Sequence, residues 1–276
     1  MRKYCVIGSP IGHTMSPFIH EKLFALSCIS AEYTVKEILL ENLENDFREL
    51  CALNGFNITI PYKMEIIRFL DEIDVSAKIC GAVNTVKCEN GKTTGYNTDM
   101  FGFERAVQSA GIDLCGSVLI AGCGGAARAV AASCLMAGCD VTFAVRERSQ
   151  DKAIALSIKL ADVSHGGSIT VCSDAAVRES DLLINTTPVG MYPNAGTLPL
   201  SKDWVVGTKA VFDAVYNPED TALLCLAKSL EKRCVGGMEM LVWQAAKAHE
   251  IWCGAHFEDS DIEKIVDMAK NELASR

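Results

Sequence analysis

Apolar and polar positions in the first hundred residues follow two rhythms. Residues 4–8 form an apolar run that reads as a strand. Ser16-Pro17 offers a cap and a first-turn proline, which predicts a helix to about residue 26. Residues 32–37 alternate as a strand, and 43–53 carry helical spacing. Residues 55–61 read as a short strand closed by Pro61, with a helix near 64–70. Residues 83–88 and 93–96 flank Asn90-Gly91, a strong hairpin signal. This block is α/β with mixed strands, and a helix over 97–110 leads out of it.

The second block is more regular. Strands are expected at 117–121, 140–145, 169–172, 182–185, 211–213 and 234–235. Helices are expected at 126–137, 151–160 and 220–229. Strands alternating with helices imply a parallel sheet covered on both faces. The tail from 238 to 274 reads as two helices split near Gly254. The fold class is therefore two-domain α/β. Residues 1–100, completed by 238–276, form a mixed-sheet domain, and 101–237 form a Rossmann-like parallel-sheet domain.

Composition narrows the field. The 276 residues are 49% apolar and 22% charged, which excludes a disordered tail, a collagen-like repeat or a coiled coil. Twenty-six basic against 35 acidic residues leave a net charge of -9, unsuited to a general nucleic-acid binder. The 13 cysteines hold no C-x-x-C pair and no zinc-finger spacing, and their odd number forbids full pairing within one chain. The apolar run at the N-terminus is too short for a signal peptide. These features suggest a cytoplasmic protein with cysteines as small core residues. Residues 118–139 hold one charge, Arg128, yet glycines at 122, 124, 125 and 138 break the run, so no membrane span is expected.

The turn Gly122-Cys123-Gly124-Gly125-Ala126-Ala127-Arg128 lies between an expected strand and helix, the setting of a dinucleotide loop. Gly122 allows a tight turn, Gly124 lets backbone approach a pyrophosphate, and free N–H groups at Gly125 and Ala126 point to phosphate. The rival reading is a close-packed strand–helix turn. Cys123, within this loop, is a candidate exposed thiol. The next strand ends in Arg146-Glu147-Arg148. Arg146 and Arg148 suit the 2′-phosphate of NADP, whereas Glu147 could accept the ribose diol of NAD.

Reduction of a ketone needs a proton donor near the forming alkoxide. Lys63 and Asp99 both stand just past strand ends, where crevices open, and a Lys–Asp pair would hold and tune the amine. Taken singly, a turn lysine is usually solvated and a helix-start aspartate is usually a cap. Thr14 and Ser16 bring hydroxyls to a helix N-terminus and could bind a small carboxylate. Alternatively Ser16 only caps the helix. His13 beside them reads as a structural hydrogen-bonder.

In order along the chain stand the segments Gly8–Pro17, Asn57-Ile58-Thr59-Ile60-Pro61-Tyr62-Lys63, Gly81-Ala82-Val83-Asn84-Thr85-Val86 and Gly95-Tyr96-Asn97-Thr98-Asp99. After the glycine turn come Asn185-Thr186-Thr187-Pro188-Val189-Gly190-Met191, Asp213-Ala214-Val215-Tyr216-Asn217-Pro218 and Met240-Leu241-Val242-Trp243-Gln244-Ala245. With these segments the chain resembles the shikimate dehydrogenase family over nearly its full length. The resemblance implies a metal-free oxidoreductase of the shikimate pathway, on the route to chorismate and the aromatic amino acids. The implied reaction is the reversible NADP-linked reduction of 3-dehydroshikimate to shikimate.

The resemblance also implies Lys63 and Asp99 as catalytic. It implies Thr14, Ser16, Thr59, Asn84, Tyr216 and Gln244 at the substrate. Gly122, Gly124, Gly125, Ala126, Arg146, Arg148, Thr186, Thr187 and Gly237 would lie at the cofactor. Two departures stand out. Thr14 replaces a serine common in the family. Val145-Arg146-Glu147 replaces a common Asn-Arg-Thr, which leaves NAD as the alternative cofactor. The rivals are an NAD-dependent quinate dehydrogenase and a non-catalytic dinucleotide-binding regulator. Monomer and homodimer both remain open.

Overall fold

The first strand shows how the N-terminal sheet is built. In β1 (Arg2–Gly8), Cys5 and Ile7 belong to one apolar cluster while Tyr4 belongs to another. Alternate side chains therefore serve opposite faces of the sheet. The structure, a computed structural model, describes residues 1–12, 14–173 and 179–276. Its contacts divide the chain into two units, Met1–Gly102 with Val242–Arg276, and Phe103–Leu241.

In the first unit β1 is followed by α1 (Ser16–Leu26), β2 (Ala31–Glu37), α2 (Leu43–Leu50), β3 (Gly55–Ile58), β4 (Glu72–Ile73), α3 (Val75–Cys80), β5 (Thr85–Glu89) and β6 (Lys92–Tyr96). The sheet order is β2-β1-β3-β5-β6-β4. β1 runs parallel to β2 and β3, whereas β5 is antiparallel to both β3 and β6. The sheet is mixed, as its hairpin required. Asn90 and Gly91, with φ of 53° and 73°, make the turn between β5 and β6.

One face of this sheet covers a core that includes Ile38, Leu43, Leu50, Phe56, Tyr62, Ile66 and Val86. On the other, Tyr4 stacks on Phe24 and on Trp252, at 5.2 and 4.6 Å between ring centres. Trp252 also donates Nε1–H to the Val86 carbonyl at 2.9 Å. Gly55 makes room for that indole, since a Cβ there would lie 2.4 Å from Trp252 Nε1.

α4 (Asp99–Ser109) carries the chain into the second unit. There follow β7 (Ser117–Ala121), α5 (Gly125–Met136), β8 (Asp140–Val145), α6 (Gln150–Leu160), β9 (Ile169–Ser173), β10 (Ser180–Asn185), α7 (Lys202–Val206), β11 (Thr208–Asp213), α8 (Ala222–Ser229) and β12 (Arg233–Val235). All neighbours pair in parallel, in the order β12-β11-β10-β7-β8-β9. The order reverses at β7, the switch point where open α/β sheets bind ligands. α5 is buried from Ala127 to Leu135, which its small residues allow. α9 (Gly237–Cys253) returns the chain to the first unit, and α10 (Asp259–Ala274) ends it.

The apolar stretch over 118–139 is thus a strand, a turn and a helix of 12 residues. Among the described residues no helix is long and apolar enough to cross a membrane.

Two helices lay outside the sequence expectations. α3 has a readable start and stop, since Asp74 accepts from Ser76 N–H at 2.9 Å and Gly81 closes it at φ 58°. α7 has only five residues, too few for a helical period to register. The segment expected as a helix near 64–70 is a 3-10 helix, Glu65–Phe69.

Candidate active site

Lys63 is held at both ends. The chain turns after β3, where Tyr62 N–H bonds the Thr59 carbonyl at 3.0 Å. The buried Tyr62 ring anchors this turn through its hydroxyl, which donates to the Ile38 carbonyl. The Lys63 carbonyl accepts from Val83 N–H at 2.7 Å. From that fixed backbone Lys63 Nζ reaches Asp99 Oδ2 at 2.5 Å, with the two side chains only 16% and 6% exposed. One of three ammonium donors is engaged there, leaving two for a ligand.

Asp99 begins α4, but its carboxylate is not the cap. Its backbone N–H is met by Asn97, with Oδ1 accepting from Asp99 N–H at 3.0 Å and Nδ2 donating to the Ala82 carbonyl at 2.9 Å. The Asp99 carboxylate is thereby left for side chains. Asn84 Nδ2 donates to Asp99 Oδ1 at 2.8 Å and to Gln244 Oε1 at 3.1 Å. Thr98 N–H fixes the Asn84 amide by donating to its Oδ1 at 2.8 Å. Thr98 Oγ1 donates to Gln244 Oε1 at 3.3 Å. Lys63, Asn84, Asp99 and Gln244 thus meet in one cluster, although Gln244 lies 160 residues beyond Asn84.

Thr14 and Ser16 form a second group. Thr14 Oγ1 donates to Ser16 Oγ at 3.0 Å and accepts from Ser16 N–H at 3.1 Å. The helix N-cap position is Met15, with no side-chain cap, so Ser16 is not the cap. The Tyr33 hydroxyl donates to Asn57 Oδ1 at 2.7 Å. Asn57 in turn donates to Thr85 Oγ1 at 3.0 Å and to the Asn84 carbonyl at 3.3 Å. Tyr33 is therefore linked through Asn57 to the Lys63 cluster. Thr59 stands between the β3 end and Lys63, its methyl against Gly8, where a Cβ would lie 2.5 Å from Thr59 Cγ2. His13 lies outside the described residues.

The second unit holds the glycine turn. Gly122 sits at φ +101°, and a Cβ on it would lie 2.8 Å from Thr186 Oγ1 and 2.9 Å from Thr187 Cγ2. Thr186 and Thr187 brace the turn, donating to the Ala121 carbonyl and to Asn185 Oδ1, each at 2.7 Å. At Gly124 the space is open, with nothing within 4 Å of a Cβ. Gly124 is the N-cap of α5 and has no side chain to bond the first N–H groups at Gly125 and Ala126. An open backbone cradle with free N–H groups fits a pyrophosphate. Cys123, expected as a candidate exposed thiol, is instead 7% exposed, and burial pushes its thiol up, away from the reactive thiolate.

Arg146 and Arg148 follow β8 and are exposed, as is Glu147 between them. Tyr216 lies on the half-buried loop after β11. Gly237 opens α9 and donates its N–H to the Val215 carbonyl at 3.2 Å, so close that a Cβ would lie 2.2 Å from the Ala214 carbonyl oxygen. Below the turn, Asp213 is buried, which raises its carboxyl to about 6 against donors from Thr221, Val215 N–H and Asn185.

Sequence reasoning missed Asn57, Thr85 and Thr98 as partners in the cluster, and Tyr33 as the link. The signal was present for Asn57, a lone amide in the fully buried strand β3. Thr85 and Tyr33 look like ordinary strand residues. Among the described residues no group of three metal-ligating side chains occurs.

The all-parallel sheet with a glycine turn at its switch point, together with a Lys–Asp pair among amide side chains, defines a dinucleotide-linked oxidoreductase. A family profile described as "Shikimate dehydrogenase substrate binding domain" matches residues 6–86. "Shikimate dehydrogenase (NADP(+))" of Methanocaldococcus jannaschii is 36% identical over 279 residues, spanning 98% of this chain and 95% of that protein. A crystal structure of shikimate 5-dehydrogenase from Thermus thermophilus, in complex with NADP(H) and shikimate, superposes with a TM-score of 0.87 at 32% identity, covering 98% and 100% of the two chains. The shikimate 5-dehydrogenase of Listeria monocytogenes, in complex with shikimate and NAD, gives 0.86 at 30% identity, covering 96% of each chain. The chain belongs to the shikimate dehydrogenase family.

Proposed function

We propose that this chain reduces 3-dehydroshikimate to shikimate, reversibly, with NADP(H). The contact of Lys63 Nζ with Asp99 Oδ2 at 2.5 Å carries this reading, because it aims a proton donor from a fixed frame. Residues 1–100 with 238–276 serve as the substrate domain, and 101–237 as the dinucleotide domain. A bound nicotinamide dinucleotide supplies the hydride that reaches the carbonyl carbon. Lys63, as the ammonium, gives a proton to the forming alkoxide. In the oxidation direction the neutral amine takes it back. Asp99 holds the ammonium by a charge-assisted bond, and Asn84 holds Asp99.

Thr14 and Ser16 bind the substrate carboxylate beside the N-terminus of α1. Asn84, Asp99 and Gln244 bind its hydroxyls, with Thr59 and Tyr216 as further contacts. Gly122, Gly124, Gly125 and Ala126 receive the pyrophosphate, with Thr186, Thr187 and Gly237 shaping the site. Exposed Arg146 and Arg148 favour the 2′-phosphate of NADP. Exposed Glu147 supports the second reading, NAD bound through its ribose diol. A reducing, cytoplasmic setting suits 13 cysteines that are all free.

The test follows absorbance of the reduced dinucleotide with shikimate or quinate, each with NADP and with NAD. Shikimate with NADP should give the highest kcat/KM. Preference for quinate or for NAD would replace the substrate or cofactor named here, and no turnover in any arm would overturn the enzyme reading.

A further inference from the structure

Two histidines that the proton transfer does not use are buried side by side in the first unit. His20 of α1 and His249 of α9 bring Nδ1 and Nε2 to 3.0 Å, and both are almost wholly shielded from solvent. One of these nitrogens must carry the proton. His249 Nδ1 is buried without a partner. A proton there would leave an orphaned buried N–H, which costs more than a bare lone pair. The His249 proton therefore sits on Nε2 and is donated to His20 Nδ1. That fixes His20 as the Nε2–H tautomer.

From His20 a chain of contacts, a ring stack and then hydrogen bonds, runs to Asp99. The His20 ring stacks on Tyr33 at 4.0 Å and 10°, with the Asn57 side chain close by. The Tyr33 hydroxyl donates to Asn57 Oδ1 at 2.7 Å. With the Tyr33 hydroxyl donating from this side, Asn57 turns Oδ1 toward it and Nδ2 toward Thr85 Oγ1 and the Asn84 carbonyl. Thr85 Oγ1, having accepted from Asn57, donates to Asn84 Oδ1 at 3.0 Å. Asn84 Nδ2 then faces Asp99. Every bond from Tyr33 to Asp99 runs donor to acceptor in one direction, and a reversed proton at the histidines would leave His20 Nε2 with no proton to offer on the side of Asn57.

We propose that His20 and His249 are positioning residues for the reduction, holding the Asn57 amide, and through it Asn84 and Asp99, in the orientation Lys63 needs. This role rests on the reaction proposed above.

Steady-state kinetics of variants of the full chain test it. His249→Phe keeps an aromatic ring among Phe24, Trp252 and Phe257 but removes the donor to His20. It should lower kcat about tenfold, the effect of one lost directional bond, and leave KM for the dinucleotide unchanged. His249→Gln, which places an N–H where Nε2 stands, should recover kcat to within about threefold of wild type. A second, smaller deletion, Tyr33→Phe, keeps the ring stack, removes the hydroxyl bond to Asn57, and should lower kcat in the same way. Each assay is run below the melting temperature of the variant. Wild-type kcat in either Tyr33→Phe or a folded His249→Phe overturns the role, as does equal loss in His249→Phe and His249→Gln. No turnover by the wild-type chain overturns the reaction and this role together, whereas wild-type turnover with an undiminished variant overturns this role alone.

Discussion

Lys63 Nζ and Asp99 Oδ2 lie 2.5 Å apart, on two turns that are each fixed by their own backbone and side-chain bonds. The contact is little exposed, and so is only weakly screened by solvent.

Lys63→Ala removes the proposed proton donor without opening the apolar core. Turnover should fall by at least roughly 10²-fold, the lower range for a positioned acid–base group. Stopped-flow or steady-state rates on protein of unchanged circular dichroism measure this. Turnover near wild type would remove Lys63 from the mechanism.

Asp99→Asn keeps the shape but loses the charge facing Lys63, and turnover should again fall by about 10²-fold. Because the two side chains act as a unit, Lys63→Ala with Asp99→Asn should be scarcely slower than the worse single variant. A double variant whose loss equals the product of the singles would mean that the two groups act independently.

Arg146→Ala and Arg148→Ala should each raise KM for NADP by about tenfold and change KM for NAD little, since the proposed charge-assisted bond to phosphate would be lost. Equal changes with both dinucleotides would show that neither arginine meets the 2′-phosphate.

Gly122→Ala strains a backbone at φ +101° and drives a methyl into Thr186 and Thr187. Dinucleotide affinity should drop more than about tenfold, and the melting temperature should fall as well. Gly124→Ala meets open space, so its melting temperature should hold while affinity drops. Calorimetric titration and thermal melts separate the two. An unchanged melt for Gly122→Ala would contradict the close approach.

Burial holds the His249 imidazole down at about 3, and burial followed by the neighbouring His249 holds His20 well below its ordinary value. In the unfolded chain both titrate near pH 6.5. Between those values the unfolded chain binds more protons, so this stability is present above about pH 6.5 and is lost as pH falls toward 3. Asp213 has the opposite sign. Its carboxyl is raised to about 6, so its contribution is lost as pH rises through 6. Denaturant melts from about pH 7.5 to about 4.5 should show falling stability, with a shallower slope in His249→Phe. Identical slopes would mean that the buried imidazole is not the group lost.

The local signals read correctly in the sequence share one property: each depends on neighbours within about one turn or one strand. The Asn90-Gly91 hairpin, the Gly122 turn and the small-residue helix after it are of this kind, and the structure forms all three. Ser16 misled because a serine before a proline matches both an N-cap and a first helical residue, and Met15 takes the cap position. Asp99 likewise matched a cap, whereas it is the first residue of the helix and its carboxylate faces Lys63.

The amino-acid order by itself determined the alternation of strands and helices, the mixed and parallel character of the two sheets, and the residue types around the reacting groups. Hydrophobic period and turn chemistry are short-range, so they can be read from neighbours along the chain. Only the tertiary structure decided that Gln244 meets Asn84 across 160 residues, that Asn57 links Tyr33 to Asn84, and that two histidines 229 residues apart share one proton. Those contacts come from the packing of α1 and α9 with the first sheet, and burial then requires each polar atom to find a partner wherever the fold provides one.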